Sequence, residues 1–197
     1  MGEKILFLTN NDNSLSLYHW LAEQGEEIIK FSGKITGEYM KDVNPDIIIS
    51  YNYKYIIRQE VIDYMHEEVF NLHISFLPWN RGASPNFWSF IEDSPKGVSI
   101  HKVDAGLDTG NIVAQKEMFF DENRESFLST YDKLHDELVS LFIRNWSSIK
   151  SGCYMASKQE GAGSFHKKED MEQFLKENAK FSWGDNIAEY KAKLGGR

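Results

Sequence analysis

Three polar side chains stand where a hydrophobic core would not place them. Asn71-Leu72-His73 closes an apolar run that begins at Val69. Alternate residues of a strand point to one side, so the Asn71 amide and the His73 imidazole share a face. Asp108 stands in Asp104-Ala105-Gly106-Leu107-Asp108-Thr109-Gly110, a tight acidic turn between two strand-like segments. If that turn folds back over the strand end, an amide, an imidazole and a carboxylate meet in one cleft. The set suits acyl transfer to an amine. The imidazole donates to an oxyanion or relays a proton, the amide holds the carbonyl oxygen, and the carboxylate orients the imidazole and supports its charged form. Each group also has a plainer use: an Asn at a strand end caps it, a carboxylate in a Gly-rich turn serves the turn, and a lone His is readily structural. The residues alone do not show that the three meet in space.

The elements that must position them follow a regular alternation. Ile5-Leu6-Phe7-Leu8 is a bare apolar run and predicts a strand buried on both faces. Residues 28–31, 45–50 and 69–72 predict three more strands. Helical spacing of Leu15, Tyr18, Leu21 and Ala22 behind a Ser14 cap predicts one helix, and residues 59–65 another. This pattern argues for an α/β fold with an open, mainly parallel twisted sheet flanked by helices, which binds ligands beyond the carboxyl ends of its strands. Residues 75–85 read as a loop and 86–91 as a short helix. Residues 98–103 and 112–116 read as strands joined by the acidic turn, and 126–149 as a long helix with one apolar face. After Lys150 the chain is polar and Gly-containing, then weakly helical over 168–176. A catalytic domain over 1–150 and a C-terminal tail over 151–197 are expected.

Composition narrows the classes. With 41% apolar and 26% charged residues the chain has what a packed core needs. The formal net charge of -8 gives no general attraction to a phosphate backbone, so no nucleic-acid partner is expected. The one cysteine, Cys153, leaves no internal disulfide and fits a reducing, cytoplasmic setting. No apolar run approaches the ~20 residues that cross a bilayer, and residues 1–4 lack the apolar core of a secretory signal. No metal-ligand spacing is visible.

The segments Asn71-Leu72-His73-Ile74-Ser75-Phe76-Leu77-Pro78, Arg81-Gly82, Pro85, Gly97-Val98-Ser99-Ile100-His101 and Gly106-Leu107-Asp108-Thr109-Gly110 together resemble the signature of the folate-dependent formyltransferases. That family includes the methionyl-tRNA, glycinamide ribonucleotide and sugar N-formyltransferases. The similarity runs over residues 4 to 150 and implies the Rossmann-like formyltransferase fold. It also implies 10-formyltetrahydrofolate as donor, and Asn71, His73 and Asp108 as the catalytic trio. The segment Tyr51-Asn52-Tyr53-Lys54-Tyr55-Ile56-Ile57 is similar to the family's pterin-site lining, which works largely through backbone groups. Tyr53, Tyr55, Ile56 and Ile57 are therefore expected at the donor, with Val103, Asp104 and Gly106 from the turn. The alternative for each tyrosine is an aromatic loop packing on its own domain. His101 and Asp104 line the turn behind the trio, while His19, His66 and His135 fall on helical patterns and read as structural or exposed.

The acceptor is read from departures within the family. The loop Thr9-Asn10-Asn11-Asp12-Asn13-Ser14 has no glycine to cradle a ribose phosphate. The acidic chain and its short tail speak against tRNA. Leu77-Pro78-Trp79-Asn80-Arg81-Gly82, Asn86-Phe87-Trp88, Lys158-Gln159 and Gly163-Ser164-Phe165-His166 resemble the sugar branch. The expected acceptor is thus a dTDP-type nucleotide-linked amino sugar for surface polysaccharides, met by Asn10, Lys54, Trp79, Arg81 and Phe87. The tail is expected to form a homodimer contact or an acceptor lid. Glycinamide ribonucleotide or methionyl-tRNA formylation, formyltetrahydrofolate hydrolysis, and an inert folate- or sugar-binding module remain the alternatives.

Overall fold

In the computed structural model residues 2–195 are described; Met1, Gly196 and Arg197, at the outer ends of the two expected segments, lie outside them. The apolar runs form the strands they predict. β1 (Lys4–Leu8), β2 (Glu27–Phe31), β3 (Ile47–Tyr51) and β4 (Val69–His73) pair in parallel in the order β2-β1-β3-β4. β6 (Lys96–Lys102) and β7 (Ile112–Met118) complete a six-stranded, mixed and mostly parallel open sheet. Ile48 stands opposite both Leu6 and Val69, so the bare apolar runs stack in register across the sheet. β3 is buried at every residue, as a central parallel strand must be, while edge strand β2 is not.

Helices α1 (Leu15–Glu23), α2 (Gly37–Val43) and α3 (Gln59–Tyr64) make the parallel crossovers. α1 buries Leu17 and Leu21, and Ala22 is exposed. Ser14 precedes α1 without capping it: its hydroxyl donates to the Asn11 carbonyl at 2.7 Å, because a 3-10 turn over Asp12–Ser14 already occupies that place. α2 was not evident from periodicity. It is a seven-residue helix fixed at its ends, where the Thr36 hydroxyl accepts from Tyr39 N–H and Asn44 closes it in the left-handed region at φ 46°. α4 (Pro85–Ile91), α5 (Phe127–Lys150), α6 (Lys168–Glu177) and α7 (Ile187–Gly195) follow. Inside the expected 75–85 loop lies a two-residue strand, β5 (Arg81–Gly82), paired in parallel with β8 (Phe165–His166).

The chain divides into two compact units. The first comprises Met1–His73, Ile100–Ala114 and Val139–Gln159; the second comprises Ile74–Ser99, Gln115–Leu138 and Glu160–Arg197. Residues 151–197 are thus shared between the units. The first unit is built on Leu6, Leu8, Ile48, Ile57, Val61, Ile62 and Val69. The core of the second is aromatic: Phe87, Trp88, Phe90, Phe127 and Tyr190 are buried together, and Phe174 and Phe181 pack against them. Burying each such ring contributes about 1.5–3 kcal/mol.

Candidate active site

The first unit brings the trio together at the carboxyl end of β4. Asn71 and His73 leave the strand on one side, and the 103–111 turn folds back so that Asp108 faces both. Asn71 Nδ2 donates to Asp108 Oδ1 at 3.2 Å. His73 Nε2 stands 3.7 Å from Asp108 Oδ2, with both side chains about nine-tenths buried. That separation is longer than a hydrogen bond. Behind them lies His101, with only 2% of its side chain exposed; its Nε2 is 3.1 Å from Asn71 Nδ2 and 3.4 Å from Asp108 Oδ1.

The turn that carries Asp108 is tied at several points. Asp104 Oδ1 accepts from the Thr109 hydroxyl at 2.6 Å and from Gly106 N–H at 3.1 Å. Gln159 Nε2 donates to the carbonyls of Asp108 and Gly110 at 2.8 and 2.9 Å. Asp108 itself takes the left-handed conformation, φ 53°, which Asp and Asn tolerate better than most residues. Gly110 is required by close approach, since a Cβ there would lie 1.9 Å from the Lys102 carbonyl oxygen. In the sequence Gln159 stands out only through the Lys158-Gln159 resemblance, which does not show that it reaches a turn about fifty residues earlier.

Beneath the turn, Lys102 Nζ bonds Glu68 Oε1 and the Tyr154 hydroxyl and lies over the rings of Phe70 and Tyr154. Burial holds the Lys102 ammonium below its ordinary pKa, although Glu68 opposes this. Burial, and then Glu68, push the Tyr154 hydroxyl up. This knot forms one side of a cavity of about 620 Å³ that is also lined by Gln59, Ile62, Val103, Asp104 and Gly106. Three of the residues expected at the donor therefore share one concavity. No group of three or more His, Cys, Asp or Glu placed to hold a metal occurs among the described residues.

The other expected contacts separate by what they already bind. The Tyr53 hydroxyl donates to Gly33 O at 2.6 Å and accepts from Ile35 N–H at 3.2 Å, so it braces its own unit; burial raises its pKa. Ile57 belongs to the first unit's core. Both side chains pack inward, and the expectation placed on this segment concerned mainly its backbone groups. Tyr55 packs edge-on against Tyr53, with Lys54 Nζ 5.0 Å from its ring, and Ile56 is 76% exposed. Asn10 is a clamp: its N–H donates to Asn52 O, its Oδ1 accepts from Lys54 N–H, and its Nδ2 donates to Ser32 O. Its amide thereby ties the segments after β1, β2 and β3, and the residue stays exposed.

Trp79, Arg81 and Phe87 lie in the second unit. Trp79 is half-buried, and Arg81 lies in β5, its N–H donating to Ser164 O at 3.0 Å. Phe87 is fully buried, ringed by Trp88, Phe127, Phe174 and Phe181. It has no face to offer a sugar and is removed from the acceptor set. The segment 163–166 holds this region: Ser164 N–H donates to Pro78 O, Asn80 N–H to Ser164 Oγ, and Ala83 N–H to His166 O. Gly163, at φ +64°, has no room for a Cβ, which would meet Pro78 O at 2.2 Å.

Comparison with known proteins gives this geometry a context. Residues 30–145 match the model of the formyl transferase family. Methionyl-tRNA formyltransferase of Clostridium botulinum is 33% identical over 154 residues, 76% of this chain and 47% of that protein. The dTDP-4-amino-4,6-dideoxyglucose formyltransferase of Mycobacterium tuberculosis is 34% identical over 128 residues, 65% of this chain and 53% of that protein. The chain thus spans about half the length of these curated relatives. The crystal structure of the formyltransferase PseJ from Anoxybacillus kamchatkensis holds UDP-4,6-dideoxy-4-formamido-L-AltNAc and tetrahydrofolate. It superposes with a TM-score of 0.88 at 38% identity and covers 97% of this chain and 99% of that one.

Proposed function

We propose, from the premise that this chain belongs to the formyl transferase family, that it moves a formyl group from 10-formyltetrahydrofolate to the amine of a nucleotide-linked 4-amino-4,6-dideoxyhexose. The observation that carries the activity is the meeting of Asn71, His73 and Asp108 at the end of β4. The acceptor rests on the two sugar relatives. Both names contain a 4,6-dideoxy sugar nitrogen-substituted at C4 and linked to a nucleoside diphosphate. PseJ is matched along nearly its whole length, so UDP is the nucleotide we propose, in place of the dTDP expected from sequence. Such a product would serve surface polysaccharide synthesis.

The donor's pterin is a flat, partly polar bicycle. The cavity walled by Ile62 and Val103 and edged by the turn backbone fits it in size and chemistry. The neutral amine attacks the formyl carbon, a carbon–nitrogen bond forms, and the bond from that carbon to folate N10 breaks. One proton leaves the amine and one reaches N10, relayed by His73 and water, so nothing is oxidised or reduced. His73 donates to the oxyanion as it develops, and the Asp108 carboxylate supports the charge on the ring.

The deciding assay offers purified protein and labelled donor to UDP- and dTDP-linked 4-amino-4,6-dideoxyhexoses, glycinamide ribonucleotide and methionyl-tRNA. Formyl transfer chiefly to the UDP sugar is expected. Transfer chiefly to either of the last two overturns the acceptor. Donor consumed without any amine marks a hydrolase, and donor bound without turnover marks an inert module.

A further inference from the structure

We infer that His101, outside the trio, is a positioning residue that fixes which end of the Asn71 amide faces the reaction, so that Asn71 grips the attacking amine through its carbonyl oxygen. The inference rests on the proposed formyl transfer for its chemistry and on ring geometry for its structure.

His101 Nδ1 lies 2.8 Å from the Lys102 carbonyl oxygen. A carbonyl only accepts, so Nδ1 carries a hydrogen. An imidazolium facing Asp108 would form a charge-assisted bond of about 2.7–2.9 Å, whereas Nε2 stands 3.4 Å from Asp108 Oδ1. The nearer neighbour is Asn71 Nδ2, a donor, at 3.1 Å. These distances describe a neutral ring protonated at Nδ1, whose bare Nε2 accepts one Asn71 hydrogen. The second hydrogen of that NH2 group goes to Asp108 Oδ1 at 3.2 Å. Turning the amide over would set its oxygen against two acceptors at once.

The ring is held hard in this role. Its anchor, the Lys102 carbonyl, packs against Gly110 so closely that no side chain fits there. Val103 N–H, on the other side of the same peptide, donates to Val69 O at 2.9 Å, and Lys102 N–H donates to Asn111 O at 2.9 Å. With its side chain 2% exposed, His101 has little water to compete for Nε2. The NH2 group is thus committed to His101 and Asp108, and Asn71 keeps its acceptor end for a ligand. A carbonyl oxygen can take an N–H of the incoming amine and aim the nitrogen lone pair at the formyl carbon, but it cannot donate to an oxyanion. That donation falls to His73. No bond to Asn71 forms or breaks.

Two substitutions separate the ring nitrogens. In His101→Gln the side-chain amide reaches the place of Nε2 and can offer an oxygen to Asn71. In His101→Asn it reaches only the place of Nδ1, keeping the bond to Lys102 but not the one to Asn71. His101→Asn is expected to lower kcat by about tenfold to a hundredfold with the KM for the folate donor unchanged, and His101→Gln to recover most of the loss. The second readout needs neither turnover nor a variant. Nitrogen-15 NMR of the wild-type protein should show His101 protonated at Nδ1 and bare at Nε2. A proton on Nε2, or equal kinetics in the two variants when both melt as folded proteins, overturns the inference. If the wild-type enzyme formylates no amine, the proposed function falls, and the ring spectrum still decides the Asn71 orientation.

Discussion

At the end of β4 the buried side chains are polar and each is answered by another; around Phe87 they are mostly aromatic and answer one another chiefly by packing. The same residue type shows the contrast. His101 in the first unit lies among Asn71, Asp108 and the Lys102 carbonyl. His135 in the second unit packs against the Tyr131 ring, and burial drops its pKa to about 4. One histidine is buried among groups it can direct; the other is buried at the cost of its charged form. Burial therefore says little about purpose until the partners are named.

The comparison breaks first at Phe87. Phe87→Ala removes a fully buried ring from the aromatic cluster and should lose about 3–5 kcal/mol in a urea melt. A loss below about 1 kcal/mol would mean that the ring is not held as core, and its place in the acceptor set would reopen. The polar region should behave the opposite way. Asp108→Asn keeps a residue suited to the left-handed conformation, so the melt should barely change. Turnover should fall by about 10² or more, worth about 2.7 kcal/mol, and His73→Ala should match it. Near-normal turnover in either variant removes that residue from the trio.

The smallest effect is read as a slope. The folded His135 pKa of about 4 lies below its unfolded value, so the unfolded chain takes up the proton first. Its contribution is complete above about pH 6.5 and is lost as the pH falls towards 4, reaching about 2 kcal/mol at pH 5. His135→Leu should flatten the stability curve over that window by this amount, whatever its effect at pH 8. An unchanged slope would place His135 in a wetter setting.

Strands β1, β3 and β4 were legible because a strand buried on both faces must be a bare apolar run, and such runs have few other readings. Asn71, His73 and Asp108 stood out for the converse reason, since amide, imidazole and carboxylate fall where apolar residues are expected, but only the family resemblance grouped them. Phe87 misled because an aromatic ring reads alike as ligand face or as core. What separates the two are Phe127, Phe174 and Phe181, all distant in sequence. Tyr53 divides in the same way, and its hydroxyl contacts with Gly33 and Ile35 show its side chain bracing its own unit. The β5–β8 pair escaped notice because two residues carry no period, and each strand exists only through a partner about eighty residues away. α7 carried no alternation to mark it, whereas its Tyr190 proves central to the second core.

The division of the second unit into three stretches of chain has a consequence for synthesis. A ribosome delivers Phe87 and Phe90 early and Tyr190 about a hundred residues later, which at roughly 5–20 residues per second is a delay of about 5–20 s. Through that interval the nascent chain carries exposed aromatic rings whose lids have not been made, and the 78–83 segment waits for Ser164 and His166 to lace it. The second unit cannot finish folding before the 160–197 segment is released, so its early rings are the natural target for a chaperone that grips apolar chain.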